Sequence, residues 1–242
     1  MQSGMGSPTC CSIRRPVMRI DGTSGNDDIQ GDSGYDSYYG GNSDDTILGG
    51  LGDDVIRGGL GSDTIDGGDG RDTALFYGKR GDYSVVVTKT GVAISGPDGA
   101  DQLINVERIH FDDFNMAFDI EGDAGQAYRL YQAAFSRTPD LSGLGYQMKA
   151  LDDGLTLSQV AANFIASPEF QRTYGNVDDA QFITLLYHNV LHRDPDSGGM
   201  EFHRHELTVG ETRADLLNHF SESLENQANV IGAIQDGILY LL

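Results

Sequence analysis

A nine-residue repeat constrains this chain more than any other feature of its sequence. From Gly22 onwards six nonapeptides follow one another without a gap: GTSGNDDIQ, GDSGYDSYY, GGNSDDTIL, GGLGDDVIR, GGLGSDTID and GGDGRDTAL. Each has glycine at position one, aspartate at position six and isoleucine, tyrosine or alanine at position eight. Glycines at positions one, two and four permit the positive φ values of a turn, and the last three residues predict a short strand with its middle side chain pointing inward. Because one such strand is not stable alone, we expect the repeats to stack into a solenoid.

The position-six aspartates account for much of the acidic composition, in which 37 Asp and Glu face 16 Lys and Arg for a net charge of −21. If two nonapeptides close one turn, each loop stacks on the loop two repeats away. The aspartates then form two columns: Asp27, Asp45 and Asp63 on one edge, and Asp36, Asp54 and Asp72 on the other. Two carboxylates and several carbonyl oxygens match the oxygen shell that Ca²⁺ prefers. Four stacked loop pairs predict about four calcium ions, with weaker half-sites at the ends.

These units resemble the nonapeptide G-G-x-G-x-D of the RTX (repeats-in-toxin, hemolysin-type) family. The resemblance implies a right-handed parallel β-roll in which the six aspartates bind Ca²⁺. It also implies that backbone carbonyls of the glycine loops complete the sites: Gly25, Gly34, Gly41, Ser43, Gly50, Gly52, Gly59, Gly61, Gly68 and Gly70. Thr23, Asp32 and Ser43 at glycine positions, and Ala74 at the inward position, depart from the pattern.

Residues 79–120 have a different pattern, with apolar and polar residues in alternation and turn residues at Gly91, Pro97–Gly99 and Asp112–Asp113. This pattern predicts antiparallel strands. Since the end of a solenoid must be covered, we expect these strands to cap the roll. The phrase LINVERIHFDD also resembles the segment that often follows RTX arrays.

The rest of the chain contains a second duplication. LYQAAFSRTPDLSGLGYQMKALDDG at 130–154 aligns without gaps on LYHNVLHRDPDSGGMEFHRHELTVG at 186–210, an offset of 56 residues. The shared R-x-P-D-x-x-G predicts a helix, a corner, a second helix, a short loop and a third helix in each copy, since proline and aspartate start helices. Arg137 and Arg193 are expected to pair with Asp140 and Asp196 across these corners. The alternative is that the four residues bind calcium or a glycan.

This duplicated region resembles a helical domain-of-unknown-function family found beside RTX repeats and in S-layer-type proteins. The expected fold is therefore an α+β multidomain protein: a right-handed parallel Ca²⁺ β-roll solenoid, a small antiparallel β cap and an all-α domain made of two repeats. The expected boundaries are a disordered leader at 1–21, the roll at 22–78, the cap at 79–120 and the helical domain at 121–242, with repeats at about 128–170 and 184–226.

The two ends of the chain allow fewer inferences. Cys10 and Cys11 are adjacent in the leader, so we expect no disulfide framework, and the leader has no apolar core of a secretory signal peptide. The final VIGAIQDGILYLL is consistent with a last packed helix or with the uncleaved C-terminal signal of type I secretion.

Several functions are disfavoured by the sequence. The negative charge argues against nucleic acids and anionic membranes as partners, and no segment is apolar enough to span a membrane. His188 and His192 have helical metal-pair spacing but lack the H-E-x-x-H glutamate and a third ligand, and His203 and His205 fall on different helix faces. Five aromatic residues are expected to pack the helical core, while any exposed subset could stack on sugar rings: Tyr128, Tyr131, Tyr146, Tyr187 and Phe202.

The sequence thus predicts a secreted, non-enzymatic protein that leaves the cell through a type I secretion apparatus and folds on extracellular Ca²⁺. Its helical domain is expected to attach to a cell-surface glycan or to another copy of the chain. One alternative is a C-terminal or accessory module of a type I-secreted hydrolase. Another is a component of an S-layer-like lattice.

Overall fold

The computed structural model describes residues 18–242 as a β-solenoid followed by helices. The greater part of the predicted leader, including Cys10 and Cys11, lies outside the described residues. Among those residues the strands form a seven-stranded and a six-stranded sheet, and the helices begin at Asp123. The predicted fold class, a parallel β-roll with a β cap and then an all-α domain of two repeats, is confirmed.

The nonapeptides supply strands alternately to the two sheets. These strands are β2 (Asp28–Gln30), β3 (Ser37–Asn42), β4 (Thr46–Leu51), β5 (Val55–Leu60), β6 (Thr64–Asp69) and β7 (Thr73–Leu75). Strand β1 (Arg19–Asp21) precedes the first nonapeptide and pairs with β3. It lies at the end of the expected disordered leader, so that expectation is wrong for these three residues. The odd-numbered strands pair in parallel in one sheet and the even-numbered strands in the other. Tyr38 lies opposite Ile56, and Ile47 opposite Ile65, so two repeats make one turn.

The interior of the roll is a ladder of position-eight side chains. Ile47, Ile56 and Ile65 are completely buried, as the inward position predicts. Strands β3 to β6 have six residues each, more than the predicted three. They are longer because pairing continues into the next repeat, where Gly41 lies opposite Gly59.

The strands of the cap pair antiparallel with one another and extend the two sheets of the roll. Its strands are β8 (Ser84–Val87), β9 (Val92–Gly96), β10 (Gly99–Ile104), β11 (Arg108–His110) and β12 (Asn115–Ala117). Strands β8, β9 and β10 pair antiparallel, while β10 also pairs in parallel with β6, and β11 with β7. The rings of Phe76, Tyr83 and Phe111, with centroids 5.2 to 6.0 Å apart, add an aromatic cluster to the core of the roll and cap.

The helical domain repeats four helices, one more per copy than the sequence predicts. They are α1 (Asp123–Phe135), α2 (Leu141–Asp152), α3 (Leu157–Ala166), α4 (Pro168–Tyr174), α5 (Asp179–Leu191), α6 (Ser197–Val209), α7 (Arg213–Ser221) and α8 (Leu224–Ile234). Corresponding helices start 56 residues apart. The fourth helix of each copy starts where Ser167 or Ser223 caps it, since each side chain accepts a backbone N–H three residues on.

The two copies share one hydrophobic core. Buried side chains from both belong to a single cluster that includes Leu130, Phe164, Leu186 and Phe220. Helix α7 of the second copy packs against α1 and α3 of the first. The duplicated region is therefore one folded unit, because neither copy buries its apolar faces alone.

The end of the chain returns to the cap. Ile238–Tyr240 form strand β13, which pairs antiparallel with β12 at the end of the seven-stranded sheet. The alternative of a last packed helix is wrong for these residues, because α8 ends at Ile234 and Gly237, at φ 101°, turns the chain towards the sheet. The secretion-signal alternative stays a prediction.

Ion pairs also join the helical domain to the last repeat loop. Arg71 contacts Asp152 of α2 at 2.8 Å and Asp53 of the roll at 3.2 Å. The buried Arg108 of β11 pairs with Asp119 and lies 3.6 Å from Asp152. These contacts fix α2 beside the loops that carry the position-six aspartates.

Candidate metal centre

The position-six aspartates lie in two columns, in the arrangement that stacking of every second repeat requires. One column contains Asp27, Asp45 and Asp63, and the other contains Asp36, Asp54 and Asp72. Within each column the backbone N–H of one aspartate donates to Oδ1 of the aspartate in the next turn, at 2.8 or 2.9 Å. All except Asp27, at the open end, are buried.

Two residues of the cap extend these columns, and sequence reasoning missed both. The N–H of Asp63 donates to Oδ1 of Asp101 at 2.8 Å, and the N–H of Asp72 donates to Oε2 of Glu107 at 2.9 Å. The signal was present, since each acid stands two residues before an inward apolar residue, Leu103 or Ile109, as in the repeats. The described residues therefore contain six stacked carboxylate pairs, two more than the sequence indicated.

The second oxygen of the central aspartates has no hydrogen-bond partner among the described residues. This holds for Oδ2 of Asp45, Asp54, Asp63 and Asp72, and all four atoms are fully buried. Buried carboxylate oxygens are rarely left unpaired, since leaving one so costs roughly 1–3 kcal/mol or more. The columns therefore contain buried oxygen atoms that a bound cation would stabilise.

The pKa values of these carboxyl groups have the shift expected of crowded, buried acids. Burial raises the pKa of Asp54 to about 6 and of Asp72 to about 7, with neighbouring carboxylates adding to the effect. Burial likewise raises the pKa of Asp101 to about 7, and raises those of Asp45 and Asp63. Ionised columns without counter-charge are thus unfavourable, and a bound cation would favour the ionised form.

The loop glycines serve two different purposes. Except for Gly25, the position-two and position-four glycines have positive φ, for example 120° at Gly59 and 140° at Gly61. Position-one glycines do not, contrary to expectation. All of them except Gly31 instead leave space for the carboxylate of the aspartate five residues on. A Cβ on Gly58 would lie 2.1 Å from Oδ2 of Asp63, and one on Gly40 would lie 2.4 Å from Oδ2 of Asp45.

The donor set fits Ca²⁺. The unpartnered atoms of the columns are carboxylate oxygens, and oxygen atoms are the ligands of a hard cation that takes six to eight of them. The six repeat aspartates, with Asp101 and Glu107, are the side chains that would hold the ions. The carbonyl ligands inferred from Gly25 to Gly70 stay a prediction, and Gly25 lacks the positive φ of its counterparts at Gly34, Gly52, Gly61 and Gly70.

Comparison with known families agrees with this geometry. A family model described as RTX calcium-binding nonapeptide repeat (4 copies) matches residues 21–53 and 39–74. Residues 21–74 are RTX repeats. The RTX nonapeptide binds Ca²⁺, and proteins that carry it are typically secreted.

The helical part also matches a family. A second model, described as Domain of unknown function (DUF4214), matches residues 161–230, from α3 to α8. RTX and DUF4214 families are generally non-catalytic structural or calcium-binding modules. No curated protein gives a significant match to the chain. None of the helices among residues 18–242 has the length and apolar character needed to cross a membrane.

In the Pro-Asp corners of the helical domain each arginine contacts a glutamate of the fourth helix as well as the predicted aspartate. Asp140 and Asp196 cap α2 and α6, each accepting a backbone N–H at 2.8 Å. Arg137 lies 3.5 Å from Asp140, but its closer acid is Glu169 of α4 at 2.8 Å. Arg193 repeats this arrangement with Asp196 at 3.9 Å and Glu225 at 2.7 Å. These contacts assign the four residues a structural role, and their binding role stays a prediction.

The remaining candidate residues are the histidines and the aromatic residues of the helical domain. His188 contacts Asp194 at 2.7 Å, and His192 is the left-handed C-cap of α5, so the two do not act as a helical pair. Tyr131 and Tyr187 are buried in the core, as expected. Tyr146 and Phe202 were expected there too but are 71% and 57% exposed.

Proposed function

We propose that this chain is a secreted calcium-binding protein whose RTX array folds when it meets extracellular Ca²⁺. The observation that carries the proposal is the set of buried, unpartnered Oδ2 atoms in the two columns. A roll that buries so many carboxylates is not stable with its acids ionised, unless cations lie between them.

The same physics explains how export and folding are coupled. Extracellular calcium modules bind with Kd values of about 10⁻⁴–10⁻³ M, far above the free Ca²⁺ of a cytoplasm. Inside the cell the charges of the array repel one another, and the array stays unfolded while a type I secretion apparatus exports the chain. Outside, calcium neutralises the columns, and its binding energy becomes folding energy.

Counting the bound ions tests this proposal. Isothermal titration calorimetry on the chelator-stripped chain should give four to six Ca²⁺ per chain, because the columns contain six carboxylate pairs. Mg²⁺ should compete poorly, since it demands a smaller octahedral shell and gives up its waters reluctantly. Fewer than two ions, or equal binding of Mg²⁺, would contradict the proposal.

The helical domain is proposed to attach the protein to a cell-surface glycan. Tyr146 of α2 and Phe202 of α6 occupy equivalent positions of the two copies, 56 residues apart, and both rings are largely exposed. Two exposed rings at repeated positions suit stacking on sugar faces, which present C–H groups to aromatic surfaces.

A pair of substitutions tests this attachment. The Tyr146→Ser/Phe202→Ser variant should fold normally and lose retention on immobilised cell-surface polysaccharide. The matched control is Tyr77→Ser, which removes a 56% exposed ring from the roll instead. Equal retention of both variants would contradict glycan attachment. Loss of a dimer in sedimentation, without loss of retention, would instead support self-association.

A further inference from the structure

A further group of side chains that could bind a metal ion lies in the helical domain. Glu206 belongs to the last turns of α6, Glu211 to the following loop and His219 to α7. One ligand atom from each lies within 4.8 Å of the others, and Nδ1 of His219 is 2.9 Å from Oε1 of Glu211. Two carboxylates and an imidazole thus converge on one point.

The cluster contains a carboxylate oxygen with no satisfying donor. Oε2 of Glu211 is fully buried and has no hydrogen-bond partner in residues 18–242. The side chains of Glu206 and Glu211 are only 22% and 15% exposed, so solvent satisfies them poorly. The cluster therefore holds a buried carboxylate oxygen with which a bound cation would pair.

The duplication provides an internal comparison. Subtracting 56 from each position gives Ala150 for Glu206, Leu155 for Glu211 and Asn163 for His219. The first copy builds the same helices without any of these ligands. The repeat fold therefore does not require the cluster, which is an addition to the second copy alone.

We propose that Glu206, Glu211 and His219 bind one Zn²⁺-class transition-metal ion. An imidazole nitrogen with two carboxylate oxygens suits zinc, whereas calcium takes oxygen ligands only. Zinc bonds of about 2.0–2.2 Å place tetrahedral ligands about 3.4 Å apart, so closure from 4.8 Å needs only small side-chain movements. Three protein ligands leave a fourth position for water or for a ligand from a partner.

His203 completes the arrangement as a positioning residue. Its Nδ1 lies 3.0 Å from Oε2 of Glu206, and its ring is only 16% exposed. A hydrogen bond to a ligating carboxylate fixes its orientation, and loss of such a partner typically weakens metal binding by about 10–100-fold. The first copy has Gln147 at this position, so the supporting histidine is also specific to the second copy.

The test uses the full chain saturated with Ca²⁺, so that the aspartate columns are already filled. Zn²⁺ is titrated by calorimetry, and Co²⁺ is added separately to record the visible absorption of a bound ion. The wild type should bind one Zn²⁺ in a saturable step. His219→Asn and Glu211→Leu, which install the residues of the first copy, should each abolish that step with unchanged helical circular dichroism.

The matched control is His188→Gln, which also installs a first-copy residue, Gln132, at an exposed histidine outside the cluster. It should bind Zn²⁺ like the wild type. If either cluster variant loses its helical signal, Glu206→Gln, which keeps size and polarity, replaces it. Absence of saturable Zn²⁺ binding by the wild type, or its retention in the cluster variants, would overturn the proposal.

Discussion

The Asp54→Asn substitution removes one charge from the centre of a column and keeps the shape of the side chain. Asp54 belongs to two stacked pairs, one with Asp36 and one with Asp72, so the variant should lose two calcium ions. With free Ca²⁺ at 100 times Kd, each site contributes about 2.7 kcal/mol, so that the loss is about 5 kcal/mol in the free energy of unfolding. The asparagine amide oxygen still accepts the N–H of Asp36, and the loss therefore reports on calcium.

The same substitution should act in the opposite direction when calcium is absent. Burial raises the pKa of Asp54 to about 6, so the calcium-free roll holds an unfavourable charge there at neutral pH. Asparagine removes that charge and should leave the stability of the calcium-free chain unchanged or higher. Denaturant unfolding in Ca²⁺ measures the loss of stability, and the strength of the β circular dichroism signal in chelator measures the opposite effect.

The matched control for Asp54→Asn is Asp69→Asn, which removes the same charge from an exposed position three of the array. This control should leave the calcium stoichiometry unchanged and alter the free energy of unfolding only slightly. If the two variants lose equal numbers of ions, or if Asp54→Asn still binds the full number, the column reasoning is refuted.

Three further predictions follow from the packing and the pKa values. Gly58→Ala should weaken Ca²⁺ binding and lower the melting temperature in calcium, because the alanine Cβ would lie 2.1 Å from Oδ2 of Asp63. The control is Gly81→Ala, whose Cβ would meet nothing within 4 Å. Equal effects of the two variants in calorimetry would contradict the steric argument. In chelator, burial holds the pKa of Asp72 and of Asp101 at about 7. The folded state then binds more protons than the unfolded state between about pH 4 and 7, so the stability of the calcium-free roll should fall as the pH rises through that range. Circular dichroism in chelator should show more β structure near pH 5 than near pH 7.5, and the reverse order would count against buried columns. Arg129→Ala should destabilise the helical domain by about 3 kcal/mol. The Arg129 side chain is 3% exposed and lies 2.6 Å from Glu222, so its removal leaves the Glu222 carboxylate without its partner. A thermal shift below one degree would show that this ion pair contributes little.

The roll could be predicted from the sequence because its period is strict. A nine-residue repeat with aspartate at position six and an apolar residue at position eight sets the register of every strand, and Ile47, Ile56 and Ile65 lie where it places them. Asp101 and Glu107 were missed because a hairpin interrupts the period. They follow their partners Asp63 and Asp72 by 38 and 35 residues, instead of 18.

The helical domain was predicted less completely, because several of its features depend on contacts between residues far apart in the sequence or on local capping. The 56-residue offset identified the two copies, but the short helices after Ser167 and Ser223 depend on local capping that the duplication alone does not reveal. Strand β13 pairs with β12 from the far end of the chain, and three residues carry no strand signal of their own. The cluster of Glu206, Glu211 and His219 spans a helix, a loop and a second helix, so no spacing motif describes it.

The central claim is that calcium folds the array, and circular dichroism of the chelator-stripped chain tests it most directly. Stepwise addition of Ca²⁺ should produce a cooperative gain of β signal on top of a helical signal that is already present. The same additions of Mg²⁺ should produce little change. A β signal already complete in chelator, or an equal response to both ions, would contradict folding by calcium.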